Sequence, residues 1–294
     1  MKLSPIDPLA QLKLTPGITE VTIKAEEARL GLNKPLPVQY FVWVQNFLQG
    51  NLGISLSNQP VSTRIAERVP NTILLVSLSI LFSWMIGIPL GVVASLRWKS
   101  SFDRVMTILA SIGMAIPSFF FALLLLVFAV QTGTFPVGGL TSVGFEKMSL
   151  IEKVFDMSYH LVLPVIVIAT ISVAGIQRQM RANLLDVLEA DYVKLARAKG
   201  LPEYIVIVKH ALRNAINPLV TILGFEFASL LSGAALVEMV LNYPGLGSLI
   251  LNAAREGDAN LVMASLMIGA IMLIVGNLFA DILLKFVDPR ITLE

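Results

Sequence analysis

The stretch NTILLVSLSILFSWMIGIPLGVVASL, residues 71–96, contains no acidic or basic side chain. At about 1.5 Å of rise per residue a helix of this length reaches about 39 Å, more than the roughly 30 Å of a bilayer's hydrocarbon core. A barrel strand crosses in about 10 residues of alternating polarity, and neither that length nor that alternation is present. The stretch is a membrane-spanning helix.

Four further apolar segments extend the pattern: Val105–Val130, Tyr159–Ile176, Pro218–Leu241 and Leu261–Leu284. The Tyr159–Ile176 segment is the shortest and carries Pro164. With 55% hydrophobic and 14% charged residues and a mean hydropathy of +0.77, the chain is too apolar for a soluble globular domain. The expected fold is all-α, a polytopic integral membrane protein with about five transmembrane helices. A net charge of +2 without a basic run argues against nucleic acid as a partner. The absence of cysteine excludes disulfides and thiolate chemistry.

Cations in the short loops orient the spans, because lysine and arginine remain on the cytoplasmic side. Arg97, Lys99 and Arg104 face only Asp103 in the first connection, and residues 177–217 hold seven basic residues against four acidic. Both loops are assigned to the inside. Residues 131–158 carry Lys147 and Lys153 against three acids, and residues 242–260 carry Arg255 against two, so these lie outside. The division is then residues 1–70 as an external N-terminal segment and 71–294 as the transmembrane domain, with a cytoplasmic loop at about 177–217 and a cytoplasmic C-terminus bearing Lys285 and Arg290. No apolar run in residues 1–70, which contain twelve charged residues, could carry them outward. Either that tail translocates unaided, or a helix that normally precedes it is lost through a late start codon or trimming.

The longest inner loop contains EADYVKLARAKG, residues Glu189–Gly200. Asp191 suits the N-cap of a short helix from Tyr192, Gly200 suits its left-handed end, and Pro202 suits the first position of the next helix, expected over about 202–215. Two turns are not stable alone in water. Tyr192, Leu195 and Ala196, at i, i+3 and i+4, form a small apolar face, and Ala190, Ala196 and Ala198 would let another surface approach closely. An ordinary amphipathic helix lying on lipid headgroups fits the periodicity equally well.

The same segment, with HALRNAINPLVTILG at His210–Gly224, closely resembles the cytoplasmic EAA loop of permease subunits in bacterial ATP-binding-cassette importers. Within them it is most similar to the dipeptide, oligopeptide and nickel branch of the binding-protein-dependent transport family. Further matches occur in order: GLNKPLPVQY (31–40), GNLGISLSNQPV (50–61), FPVGG (135–139), HLVLP (160–164), VEMVLNYPGLG (237–247) and DPRI (288–291). Asn51 departs from the GDLG of relatives. Ser4-Pro5-Ile6-Asp7-Pro8 looks like a variant of the turn that follows the family's usual first helix, so six helices would make the complete unit.

The resemblance implies an alternating-access mechanism in which the short helix docks in a cleft of a separate ATPase. Glu189, Ala190 and Gly200 match the motif's defining positions, residues 192–199, including Tyr192, Leu195, Ala196, Arg197, Ala198 and Lys199, would form the docking face, and Asp191 belongs to the same coupling loop. It implies further partners: a second permease, related but different, two ATP-binding subunits in the cytoplasm, and an external substrate-binding protein, all at the bacterial inner membrane. No phosphate loop GxxxxGK[ST] occurs in the chain, so ATP and magnesium are expected on the partner and no cofactor on this chain. Short peptides are the expected cargo, with nickel or a glutathione-like solute as the alternative.

Three carboxylates fall inside the expected spans: Glu226, Glu238 and Asp281. A charge at membrane depth usually faces a partner or a watery cavity, which makes Glu226 a candidate for the translocation path and Glu238 for a gate or receptor contact. Glu238 and Asp281 also lie near enough to span ends to reach the interface. An ion-coupled secondary transporter using Glu226 or Asp281 is the remaining transport class. No GxSxG or HExxH occurs, and His160 and His210 fall on opposite sides of the membrane, so no catalytic or metal-ligating set is expected. Pro89 and Pro117 are expected to kink or loosen their helices. Gly87 and Gly91 form a small-xxx-small packing face, and Arg178 and Arg181 are read as interfacial anchors.

Overall fold

The computed structural model describes residues 9, 13, 18–29, 31 and 33–287, excepting the side chains of 26, 29, 224–233, 279–281, 283, 284, 286 and 287. The turn at Ser4–Pro8 and the DPRI match with the C-terminal tail lie outside the described residues. Helices α1 (Glu20–Arg29) and α2 (Leu36–Leu48) precede a long helix α3 (Val61–Leu96). There follow α4 (Ser101–Ala115), α5 (Ser118–Thr132), α6 (Leu150–Leu188) and the short α7 (Asp191–Ala198). A turn at Glu203–Ile205 and a π-helical stretch Val206–Leu212 lead into α8 (Arg213–Val240), and α9 (Leu246–Glu256) and α10 (Ala259–Val287) complete the fold. No β-strand occurs among the described residues, in accord with the all-α expectation.

The span ends differ from the hydropathy reading. Helix α3 begins ten residues earlier than expected, at Val61, because its first turns pack inward: Val61 and Ile65 join Leu246, Leu249, Ala253, Leu261 and Ala264 in a core beside the outer loops. Helix α6 begins at Leu150 under a Ser149–Glu152 capping box, which closes two otherwise unpaired amides. Its inner end continues to Leu188, since Met180 and Leu184 are buried against α7 and the π-helical stretch. Hydropathy marks the apolar middle of a helix, while capping and packing mark its ends.

The second segment is corrected more deeply. Val105–Val130 is two helices, α4 and α5, meeting at 96°. Pro117 is responsible. A residue before proline is forced out of the helical region; Ile116 takes φ −82°, ψ 120°, and Pro117 itself, at ψ 135°, becomes the N-cap of α5. Pro89, expected to act similarly, stays inside an uninterrupted α3.

Helices α3 and α6 form the central pair of the fold, and the close approach is made by the expected glycines. A methyl group at Gly91 would stand 2.7 Å from Met180 Cβ and 2.8 Å from the Gln177 carbonyl oxygen, and one at Gly87 would stand 2.9 Å from Ile176 Cγ2. At the inner end of this pair Arg181 reaches Asp103 through two bonds of 2.5 and 2.9 Å, which brings the α3–α4 connection and the long inner loop to one end of the molecule. The N–H of Gly139 donates to the Asn242 carbonyl at 3.1 Å, which joins the other two connections at the opposite end. The two cation-rich loops therefore share one face, as the charge pattern requires. Beyond the anchoring expected of it, Arg181 is the partner of a buried carboxylate.

Candidate functional site: the inner helix and the outer turn

The inner helix forms by local rules. Ala190, extended at ψ 145°, is the N-cap, and its carbonyl accepts from Val193 and Lys194. Asp191 is therefore the first helical residue rather than the cap; its carboxylate lies 3.6 Å from Lys194 Nζ and complements the helix dipole. At the other end Gly200, at φ +76°, donates to the Arg197 carbonyl, while Leu201 donates to that of Ala196. This paired closure uses the left-handed conformation that glycine adopts without cost.

Two faces of α7 have different surroundings. Val193 and Ala196 are buried among Ile176, Met180, Leu184, Val206, Ala211, Ala215 and Leu219, so the helix is held by the inner end of α6 and the approach to α8. Tyr192 and Leu195 are 45% and 56% exposed, and Lys194, Arg197, Ala198 and Lys199 are exposed beside them. The expected apolar trio is thus divided: Ala196 is 6% exposed and points inward, leaving Tyr192 and Leu195 as the outward apolar pair. Val193, not singled out in the sequence, supplies the anchor. Glu189 is exposed at the C-cap of α6.

Across the Gly200 turn, Arg197 donates to both oxygens of Glu203, with Nη2 at 2.7 Å from Oε1. The guanidinium holds the Glu203 carboxyl below the usual carboxylate range, and the carboxylate raises Arg197 in return. A carboxyl with a depressed folded-state pKa contributes stability above its unfolded value, and that contribution disappears as pH falls through the folded value. Both groups are substantially exposed, so the pair is worth about 0.5 kcal/mol or less. In a double-mutant cycle of Arg197→Gln and Glu203→Gln the coupling is expected to be of that size at pH 7, absent well below pH 4, and weaker in high salt. A coupling independent of pH would contradict the pairing.

At the opposite end the structure assigns Glu238 a definite place. Its side chain is 1% exposed, near the end of α8 and beneath the turn Asn242–Gly245. Oε1 accepts from the Thr72 hydroxyl of α3 at 3.1 Å, and Oε2 accepts from the Ser248 N–H of α9 at 2.8 Å. Thr72 Oγ1 in turn accepts from the Leu246 N–H at 2.7 Å. A carboxylate from another helix thus satisfies a free amide at the start of α9, where the helix dipole favours negative charge. Gly245 has no room for a side chain, because a Cβ there would collide with this carboxylate.

The turn is fixed to α3 on its other side. The Asn71 side chain donates to the Pro244 carbonyl and the Tyr243 hydroxyl donates to the Asn71 carbonyl, both at 2.8 Å. Burial, and secondarily Glu238, pushes the Tyr243 hydroxyl up from its ordinary value, so it remains a donor. Glu238 consequently joins α3, α8 and α9 into one outer clasp. A direct receptor contact through its side chain, one of the two roles expected from the sequence, is corrected by this burial. The Glu226 and Asp281 side chains lie outside the described residues.

Sequence reasoning missed Thr72, Asp103 and Asp258. Asp258 is buried and accepts from Ser55 Oγ at 2.5 Å, the Leu56 N–H at 2.8 Å and the Leu261 N–H at 3.1 Å, tying the segment before α3 to the start of α10. The partners that other elements supply, Glu238 and Leu246 for Thr72, Arg181 for Asp103, and Ser55 and Leu56 for Asp258, are more than 70 positions away, and no local pattern announces them.

Comparison with known proteins places the chain in a family. The family described as "Binding-protein-dependent transport system inner membrane component" matches residues 87–293. The oligopeptide transport system permease protein AppB of Bacillus subtilis is 42% identical over 294 residues, covering 99% of this chain and 91% of that protein. The dipeptide transport system permease protein DppB of Alkalihalophilus pseudofirmus is 33% identical over 305 residues, covering 95% and 92%. Among solved structures, the inward-facing MetNI methionine ABC transporter superposes with a TM-score of 0.60 at 18% identity, over 76% of this chain and 96% of that one. The chain belongs to the binding-protein-dependent transport system inner membrane components and is a permease subunit of an ABC importer.

Proposed function

We propose that this permease imports short peptides and couples to a separate cytoplasmic ATPase through Glu189–Gly200. The observation that carries the coupling is the two-sided character of α7. An exposed pair, Tyr192 and Leu195, sits on a helix whose other face, Val193 and Ala196, is buried against α6 and the approach to α8. A push on the outer face is passed directly to two long helices, because packed cores move as units rather than deform. Nucleotide and magnesium are held by the ATPase, whose closure drives alternating access. A second, related permease supplies the other half of the path, and a substrate-binding protein delivers cargo to the external loops. The chain resides in the bacterial inner membrane with its C-terminus in the cytoplasm. The names of the relatives, an oligopeptide and a dipeptide permease, support peptides as cargo.

The test is Leu195→Glu in the assembled importer. Leu195 is exposed, so the level and melting temperature of the chain should not change. Co-purification of the ATPase and peptide uptake should both fall about tenfold or more, the usual scale for an interface anchor. Wild-type association and uptake in this variant would overturn the docking assignment. For the cargo, cells lacking the chain should lose uptake of labelled di- and tripeptides and keep nickel uptake; the reverse pattern would refute peptide transport.

A further inference from the structure

We propose that the α3–α4 connection, Arg97–Arg104, is a binding site for the headgroup phosphate of an anionic phospholipid. The proposal rests on membrane placement and not on peptide cargo or ATPase docking. The connection stands at a sharp boundary. Leu96 and Val105 are exposed apolar residues on its membrane side, Trp98 is 52% exposed between them, and Arg97, Lys99 and Arg104 are exposed around it. Exposed apolar residues beside an amphipathic indole set among cations are the composition a helix end presents at the headgroup level.

The turn is built to hold these cations together. Lys99 adopts φ +62°, a left-handed conformation uncommon for a residue with a side chain. The Ser100 N–H donates to the Arg97 carbonyl at 3.0 Å, and the Lys99 N–H donates to Asp103 Oδ2 at 3.0 Å. Arg104 reaches back to the Lys99 carbonyl. Lys99 Nζ lies 4.1 Å from the Trp98 ring centroid and the Arg97 guanidinium 5.7 Å from that of Phe102, so aromatic faces restrain both cations.

The local acid does not neutralise this cluster. Asp103 is 3% exposed and takes both bonds of Arg181, which leaves Arg97, Lys99 and Arg104 in no ion pair among the described residues. Three restrained cations at the edge of the hydrocarbon match the negative potential of an anionic leaflet. A phosphodiester brings its own apolar tail down past Leu96 and Val105, and a free anion does not. That difference selects the lipid over inorganic phosphate.

Trp98 is a built-in reporter. The full chain carrying Trp43→Phe and Trp84→Phe, reconstituted in vesicles, is titrated with brominated phosphatidylglycerol or brominated phosphatidylcholine, and quenching of Trp98 gives the relative association. Phosphatidylglycerol should be preferred by about fivefold or more, the scale of one or two cations at an anionic surface. Arg97→Ala with Lys99→Ala should reduce the preference to about one, Arg97→Lys with Lys99→Arg should retain it, and about 1 M salt should abolish it by shortening the screening length. Equal quenching by both lipids, a preference that survives the alanine variant, or its removal by millimolar inorganic phosphate at constant ionic strength would each overturn the proposal.

Discussion

Gly91→Leu is expected to remove most folded protein and all uptake. A leucine at this position must place its Cβ within 2.8 Å of both Met180 Cβ and the Gln177 carbonyl oxygen, so the obstacle is backbone as well as a side-chain stem. Neither can rotate away, and α3 and α6 must separate along their length. In a bilayer no hydrophobic force returns them, because lipid tails are as apolar as the side chains; helix pairs are held by the close packing that small residues permit. Overpacking of this kind costs about 3 kcal/mol or more, a large part of the 5–15 kcal/mol typical of a folded domain. The measurement is the melting temperature and monodispersity of the purified chain in detergent. Gly175 is the internal control: a Cβ there meets nothing within 4 Å. Gly175→Ala should be neutral or stabilising by about 0.5–1 kcal/mol, since alanine is the better helix former. If Gly91→Leu and Gly175→Ala melt alike, the α3–α6 contact is not what holds the fold.

Glu238→Ala is the second large effect, expected to cost about 3–5 kcal/mol. The substitution removes the acceptor of the Ser248 amide and of the Thr72 hydroxyl together, and each buried donor left unpaired costs about 1–3 kcal/mol. It also opens a void beneath Gly245, where the carboxylate now fills the space. Glu238→Gln keeps the volume and one acceptor but turns an amide N–H₂ toward a donor, so an intermediate loss is expected. Hydrogen exchange should locate the damage: the amides of Leu246 and Ser248 should exchange faster in both variants, while those of α7 at the other end should not. Uptake should fall with the loss of the clasp. An unchanged melting temperature combined with abolished uptake would mean that Glu238 acts on cargo directly, and the structural assignment would fail.

The inner helix shows what local chemistry can reveal. Its break at Gly200, its acidic start and its small residues are legible in EADYVKLARAKG because capping, the left-handed turn and helical spacing act between neighbours. Its orientation was not legible. Periodicity grouped Ala196 with Tyr192 and Leu195, whereas packing against α6 and the π-helical stretch turned Ala196 and Val193 inward. Five apolar segments likewise announced their existence but not their shape. Pro117 breaks its segment by 96° while Pro89 leaves α3 continuous, and the two prolines look alike in hydropathy.

Glu238 marks the same boundary for the candidate sites. A carboxylate inside an apolar run signals an unusual environment, and the expectation of a functional position followed from its cost. Its role as a clasp depends on Thr72, 166 positions earlier, and on the amides of a helix that starts after a turn. From the sequence alone came the membrane class, the helical architecture, the two cation-rich loops and the short inner helix, because hydropathy, charge and capping are short-range and additive along the chain. Only the tertiary structure decided which face of that helix is free, that Asp103 belongs to Arg181, and that Glu238 holds the outer turn. Those outcomes depend on which distant helices meet, and a buried hydrogen bond exists only once both partners have left water together.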